Sequence, residues 1–471
     1  MTSAIVVGSG PNGLACAAAL AREGVDVTVL EAEDTIGGGT RSAELTPGLV
    51  HDVCSAFHPM SAESPFLKSL GLDQHGLEWL WPEIDCAHPL DGGDCGVLAR
   101  SLDDTARALG HDGERWKRIF APSKSFGSLT DDLFRPVLHV PRHPLQLARF
   151  GTPAALPATT LARALKTPKA RALFGGVAAH AFTPLNRPMS SSVGMALTCA
   201  LHAFGWPVAR GGSQAIPDAL ASYIRQHGGR IETGARVASL AQVSDADAVV
   251  FDLAPVGVAE VMGDRLPARV ARAYRRYRHG PAAFKVDFAV EGGVPWSAEP
   301  ARRAGTVHAA GDFDEIVAGE RDVNRGRMPE RPFVLVGQQY LADPGRSNGD
   351  VHPVWSYAHV PSGYTGDATQ AVIDQIERFA PGFRERIVDK SVRSPAQILA
   401  TNANYIGGDI ITGANTPIQI TIRPRLALDP YSTGVPGFFI CSAATPPGAG
   451  AHGMGGYNAA QSVLRQISGR D

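Results

Sequence analysis

Two glycine clusters and one acid within the first forty-one residues have the types and spacing of a phosphate-binding device. Gly8-Ser9-Gly10-Pro11-Asn12-Gly13 reads G-x-G-x-x-G, and Glu31 stands 18 residues beyond Gly13. Gly8 permits a tight turn, Gly10 lets the backbone approach a pyrophosphate, and Gly13 lets a helix pack closely on a strand. The N-terminus of that helix presents its positive dipole end to the phosphates. A carboxylate at Glu31 can accept hydrogen bonds from both ribose hydroxyls, and its charge repels a 2′-phosphate. Gly37-Gly38-Gly39-Thr40-Arg41 follows six residues later. A nicotinamide dinucleotide has no need of this second cluster. The longer FAD runs past it, and its phosphates want backbone donors and a cation, for which Arg41 is suited.

The far end of the chain carries the complementary feature. Residues from Pro446 to Asn458 hold five glycines and open onto a helix read over 459–467. Backbone this free of side chains can lie flat against a planar ligand and aim N–H groups at an electron-rich edge. In a flavin that edge is N1/O2, where the helix dipole would raise electron affinity. His452 lies inside this stretch and is a candidate general acid/base or substrate donor. His58, in Ala56-Phe57-His58-Pro59, is a second candidate, and the remaining thirteen of 15 histidines read as structural or exposed. His352 and His359 sit seven apart in a strand-like stretch and face opposite ways. No metal-ligand spacing occurs, so no metal is expected.

The elements that must hold these residues follow from pattern. Ala4-Ile5-Val6-Val7 is a β-branched run ending at Gly8, Leu14 to Arg22 is an alanine-rich helix, and 25–30 is a second strand ending at Glu31. That strand–turn–helix–strand–acid order within about 30 residues is what makes the glycine motif specific. Later pieces join them: a helix from Ile216 to His227, strands at 230–233, around Val237 and at 247–252, and a strand after Pro436-Gly437. A nucleotide domain built from three separated pieces is expected.

Composition narrows the class. The 471 residues carry 44 Lys+Arg against 46 Asp+Glu, a net charge of −2, which leaves no basic excess for nucleic acid. With 44% hydrophobic residues the chain can bury a large core. Six scattered cysteines without a C-x-x-C argue against a redox pair or disulfide framework and fit a reducing cytoplasm. No run of 18 apolar residues is present. The small, apolar first 24 residues lack a basic start and read as mature protein.

With these segments assembled, the chain resembles the phytoene desaturase superfamily of flavoproteins, relatives of the amine oxidases. Within it, the likeness is to the branch of pyridine nucleotide-disulphide oxidoreductase domain-containing protein 2. The motifs carrying it are Gly8-x-Gly-x-x-Gly13 with Glu31, Gly37-Gly38, His51-Asp52-Val53, Arg210-Gly211-Gly212, Asp247-Ala248-Val249-Val250, His352-Pro353-Val354-Trp355, Ala358-His359-Val360-Pro361, Pro381-Gly382-Phe383, Gly407-Gly408 and Pro447 to Ala460. The resemblance implies an α/β fold: a discontinuous Rossmann-type FAD-binding domain (1–60, 206–262, 400–471) with an inserted α+β substrate domain (61–205, 263–399). It implies non-covalent FAD held by Gly8, Gly10, Pro11, Asn12, Gly13, Glu31, Ala32, Gly38, Gly39, Thr40, Arg41, Val237, Ala443, Gly453 and Met454. The chain departs from the pattern at His452, where relatives carry an apolar residue, and in a shortened hairpin between Val237 and Asp247.

The implied activity is dehydrogenation of a C–C bond in an apolar, isoprenoid- or lipid-like molecule. Oxygen or a quinone is the expected acceptor, because no second nucleotide fingerprint is present. Amine oxidation (with at most Tyr405 and Tyr457 as an aromatic pair), redox-neutral double-bond isomerisation and non-catalytic flavin binding are the alternatives. In the inserts, 61–205 reads as Pro-rich and mostly helical. Its Phe134–Leu145 stretch mixes apolar and basic residues, and a packed corner is favoured there over a membrane contact. The alternation Phe284-Lys285-Val286-Asp287-Phe288-Ala289-Val290 predicts one buried face, a cavity floor, with Lys285 solvated on the other.

Overall fold

The computed structural model describes residues 2–136 and 138–469; Val137, inside the Phe134–Leu145 stretch, lies outside them. A five-stranded parallel sheet holds the nucleotide motif, in the order Phe438–Ile440, Ala248–Phe251, Ser3–Val7, Asp26–Leu30, Arg230–Glu232. Val6 pairs with Val29 on one side and Val250 on the other, and Val250 pairs with Phe439. Ala248–Phe251 is buried throughout, as a central parallel strand is, whereas the edge strand Arg230–Glu232 is polar and exposed at both ends.

Helix Pro11–Arg22 starts with Pro at its first position, where the missing N–H costs nothing, and Ala15 to Ala21 are buried along its length. It can lie against helix Met454–Ser468 only because Gly456 has no side chain: a Cβ there would collide with the Asn12 carbonyl. A Cβ on Gly13 would likewise collide with the Gly8 carbonyl. The helix read from Ala459 begins five residues earlier, at Met454. Gly453, at φ +68°, turns the chain into it.

A seven-stranded mixed sheet comes from the inserted segments, in the order Ile387–Arg393, Ala282–Glu291, Val351–Val360, Val334–Gly337, Ala304–Ala309, Ile84–Pro89, Cys95–Leu98. Its last two strands arise from a region that the sequence pattern gave to helices. The helices themselves run from Leu102 to Phe204. Two of them, Pro168–Ala179 and Ser191–Phe204, pack closely where Gly194 meets Ala178.

Strand Ala282–Glu291 departs from its alternating pattern, since Ala282 to Val290 are buried on both faces. Ala282, Phe284, Val286, Phe288 and Val290 join one core cluster. The opposite face is covered by the segment leading from strand Leu49–Asp52 to Cys54. His51 Nε2 lies 3.2 Å from the Phe288 carbonyl. Lys285, expected in solvent, is therefore only 3% exposed. No strand forms at Val237. That segment instead closes in a short 3-10 turn, Leu240–Gln242, held by a capping box between Ser239 and Gln242.

Candidate functional site

A continuous cavity of about 1260 Å³ runs between the two sheets. One half follows the nucleotide motif: Gly8 to Asn12, Glu31 to Glu33, Gly38 to Arg41, Val237, Ser442, Ala443 and Pro446 to His452; Gly13, Gly453 and Met454, expected to hold the cofactor, do not line it. The two glycine clusters meet here, as the Gly37 N–H donates to the Ser9 carbonyl at 3.0 Å. A Cβ on Gly38 would sit 3.1 Å from the Gly10 Cα. Glu31 is buried and its carboxylate is locked. One oxygen accepts from the Ser9 N–H (2.9 Å) and hydroxyl, the other from the Glu33 N–H (2.9 Å) and Arg41 Nη2 (3.4 Å). Arg41 is thus an ion-pair partner of Glu31 as well as a wall residue, and it also donates to the Thr35 carbonyl at 2.7 Å.

Beneath the turn lies a residue that sequence reasoning did not single out. Asp252, directly after strand Ala248–Phe251, accepts from the Gly13 N–H at 3.0 Å. A Cβ on Gly10 would strike its carboxyl oxygen and one on Gly8 would come within 2.9 Å of its carbonyl. Burial, reinforced by Glu31, pushes its carboxyl up to about 7 despite the Gly13 N–H. An acid immediately after the apolar run was the available signal. The glycine cradle, the locked acid and the length of the groove fit an extended dinucleotide. FAD would be held by the turn, Glu31, the Gly38–Arg41 loop and the Ser442–His452 loop.

Residues 6–70 match the family model of the NAD(P)-binding Rossmann-like domain. The chain is 25% identical to pyridine nucleotide-disulfide oxidoreductase domain-containing protein 2 of Rattus norvegicus, over 98% of this chain and 93% of the relative. It is also 25% identical to a hydroxyneurosporene desaturase of Cereibacter sphaeroides, over 99% and 98% of the two chains. Both likenesses run over nearly the full length of the two chains and agree with the resemblance carried by the sequence motifs. Among solved structures, an oxidoreductase from Methanosarcina mazei superposes with a TM-score of 0.65 at 15% identity, covering 98% and 100% of the chains. A putrescine oxidase gives 0.63 at 16% identity and full coverage of both. The protein is an FAD-dependent oxidoreductase.

The other half of the flavoprotein's cavity is apolar, walled by Phe57, Phe150, Phe182, Trp206, Leu335 and Trp355. Its imidazole is His180, which neither motif nor spacing flagged. His180 Nε2 lies 3.0 Å from His308 Nε2, and His308 Nδ1 lies 3.7 Å from Cys86 Sγ, with His88 edge-on behind it. Helix Pro168–Ala179 passes over these rings at Gly176, where a Cβ would come within 2.7 Å of His88 Nδ1. Burial holds His180 neutral, down to about 3, and depresses His308 and His88 in the same direction.

The two histidines chosen from sequence are placed differently. His452 lines the cavity, but its Nδ1 accepts from the Met454 N–H at 3.1 Å and the ring bonds the backbone of Ala449 and Gly448. His58 turns away from the cavity, with Nε2 2.8 Å from the Ser213 hydroxyl and its ring beside Trp79. Of the two tyrosines considered for an aromatic pair, Tyr405 lines the cavity and Tyr457 stacks on Phe66 at 4.6 Å. Lys285 ion-pairs with Asp287 and sits 5.0 Å above the Trp355 ring. Burial lowers its ammonium to about 8. It borders an adjoining cavity of about 760 Å³ that shares Cys54, Tyr357 and Tyr405 with the first.

Proposed function

We propose that the protein dehydrogenates a C–C bond of an apolar small molecule, with oxygen or a quinone as the final acceptor. The observation that carries this reading is the aromatic half-cavity continuous with the nucleotide groove. Its walls exclude water and hold a hydrocarbon by contact area, with few polar groups to orient an amine. Bound FAD supplies the hydride acceptor. His180 takes the proton from the neighbouring carbon: its Nε2 is paired to His308, and no hydrogen bond among the described residues engages Nδ1. Burial keeps His180 uncharged at rest, the form that can accept a proton. His452, with its ring committed to the loop, orders the backbone over the flavin.

Anaerobic titration of the purified flavoprotein tests this. Isoprenoid or lipid-like substrates should bleach the flavin bands, while primary amines leave them unchanged. Bleaching by amines alone would establish the amine oxidase reading instead.

A lipid surface is the proposed source of the substrate. Helix Pro144–Ala154 and the preceding loop expose Leu138, Val140 (88%) and Leu145, and the segment after helix Pro417–Thr421 exposes Leu426 and Leu428 (91%). Both segments also line the cavity, through Phe134, Leu147, Ile420 and Thr421, so the apolar rim surrounds its mouth. No helix among the described residues is long and apolar enough to cross a membrane. Co-sedimentation with anionic vesicles should fall several-fold in a Val140→Ser, Leu428→Ser variant; unchanged binding would exclude this rim as the contact.

A further inference from the structure

Two arginines are buried among the described residues, and the protein treats them in opposite ways. Arg346 is gripped by two carboxylates, Asp52 at 2.6 Å and Asp343 at 3.1 Å. Arg423, only 4% exposed, has uncharged partners alone. Its Nε donates to the Gln419 carbonyl (2.9 Å), Nη1 to the Ala443 carbonyl (3.3 Å) and Nη2 to Asn415 Oδ1 (3.2 Å). No ion pair among the described residues includes it. A guanidinium carries five N–H donors in a planar fork, so two remain for a ligand. A buried charge without a counter-charge is costly, and the cost is recovered when an anion docks.

The position of Arg423 says which ligand. It lines the large cavity beside Gly448, whose lack of a side chain keeps the space over the guanidinium open: a Cβ there would lie 2.8 Å from Nη1. Asn415, which holds Nη2, in turn donates to the Ala181 carbonyl at 3.1 Å. Ala181 sits between His180 and Phe182, so the fork is tied to the wall of the apolar half. Resting on the reading that this half holds the substrate, we propose that Arg423 anchors an anionic head group on it. The substrate class is an apolar chain ending in a carboxylate, held by a bidentate pair.

The test is binding to the FAD-loaded protein, read as a perturbation of the flavin absorbance under conditions without turnover. A series of long-chain and isoprenoid carboxylic acids is compared with their methyl esters. Wild type should bind the best acid at least about tenfold more tightly than its ester, ~1.4 kcal/mol. Arg423→Met should abolish that preference by weakening the acid and sparing the ester, with flavin content unchanged. Arg423→Lys, which keeps a point charge but loses the fork, should retain part of it. No acid-over-ester preference anywhere in the series would overturn the proposal, and the wild-type comparison stands even if a variant fails to fold. Loss of FAD from Arg423→Met with the acid preference absent would assign the guanidinium to the cofactor. An acid that binds through Arg423 but is never dehydrogenated would sink the dehydrogenase reading alone.

Discussion

The nucleotide half and the cap half of the cavity use polar side chains in contrasting ways. At the glycine turn, both carboxylate oxygens of Glu31 are held by Ser9, Glu33 and Arg41, and Asp252 is held by the Gly13 N–H. On the substrate side, His180 in the cap wall has one ring nitrogen engaged, and Arg423, where the loop at Ala443 and Gly448 meets that wall through Asn415, has no counter-charge. Groups satisfied by the protein fix a shape; groups left part-satisfied on a cavity wall are where a ligand completes the set. The first half is therefore a mould and the second a receptor.

The largest expected effect would break the mould. Gly13→Ala places a Cβ against the Gly8 carbonyl, which is backbone and cannot rotate away, with the Asp252 side chain 3.0 Å off on the other flank. The purified protein should come off the column essentially without flavin absorbance and with stability reduced by about 1–3 kcal/mol or more. Normal flavin content would mean that the turn is more compliant than a mould.

Next comes acid. Burial lowers His58, His88, His202 and His452 to about 4 and His180 to about 3, and it holds His308 well below its ordinary value. Their folded pKa values lie below the ordinary 6.5, so the native state binds fewer protons than the unfolded chain. Stability is then present above pH 6.5 and is lost as pH falls from there towards 4, by up to ~1.4 kcal/mol per pH unit for each histidine. Thermal melts between these pH values measure it, and replacing His308 by Leu should make the decline shallower.

Asp252 runs the other way. Its folded pKa of about 7 lies above the ordinary 3.8, so the native state holds a proton that the unfolded chain releases. Its contribution is full below about pH 4 and is lost as pH rises towards 7. Asp252→Asn should remove that component and flatten FAD affinity over the same window. A variant with unaltered pH dependence would show that the carboxyl is ionised in the folded protein.

A smaller effect separates the halves directly. Phe182→Ala should raise KM for the apolar substrate by about tenfold while flavin content stays the same, since the ring belongs to the cap wall. Smallest of all, Val237→Ala trims one groove contact and should weaken FAD by no more than about fivefold, ~1 kcal/mol.

Legibility in the sequence divides along the same line. The glycine turn, Glu31 and their strands were readable because each depends on neighbours within some thirty residues. The substrate side was not, because Arg423 acquires its meaning from Ala443, Asn415 and, through Asn415, from Ala181, 234 residues before Asn415. His180 gains its partner from a strand 128 residues on. Lys285 was misread for a related reason. Period-two alternation marks a half-buried strand only when water lies on one side, and here the segment around Cys54 closes the second face. The strand expected at Val237 failed because a local capping box offered Leu240–Gln242 a cheaper turn.

The strand order has a consequence for how the chain is made. Ser3–Val7 pairs with Ala248–Phe251, and that strand in turn awaits Phe438–Ile440. The phosphate turn leaves the ribosome 444 residues before Gly456, counted from Asn12, so the groove lacks its second wall throughout that interval. Chains halted short of Gly456 lack the helix that packs on Pro11–Arg22. The two walls of the groove are thus completed by contacts between segments that are made far apart in time.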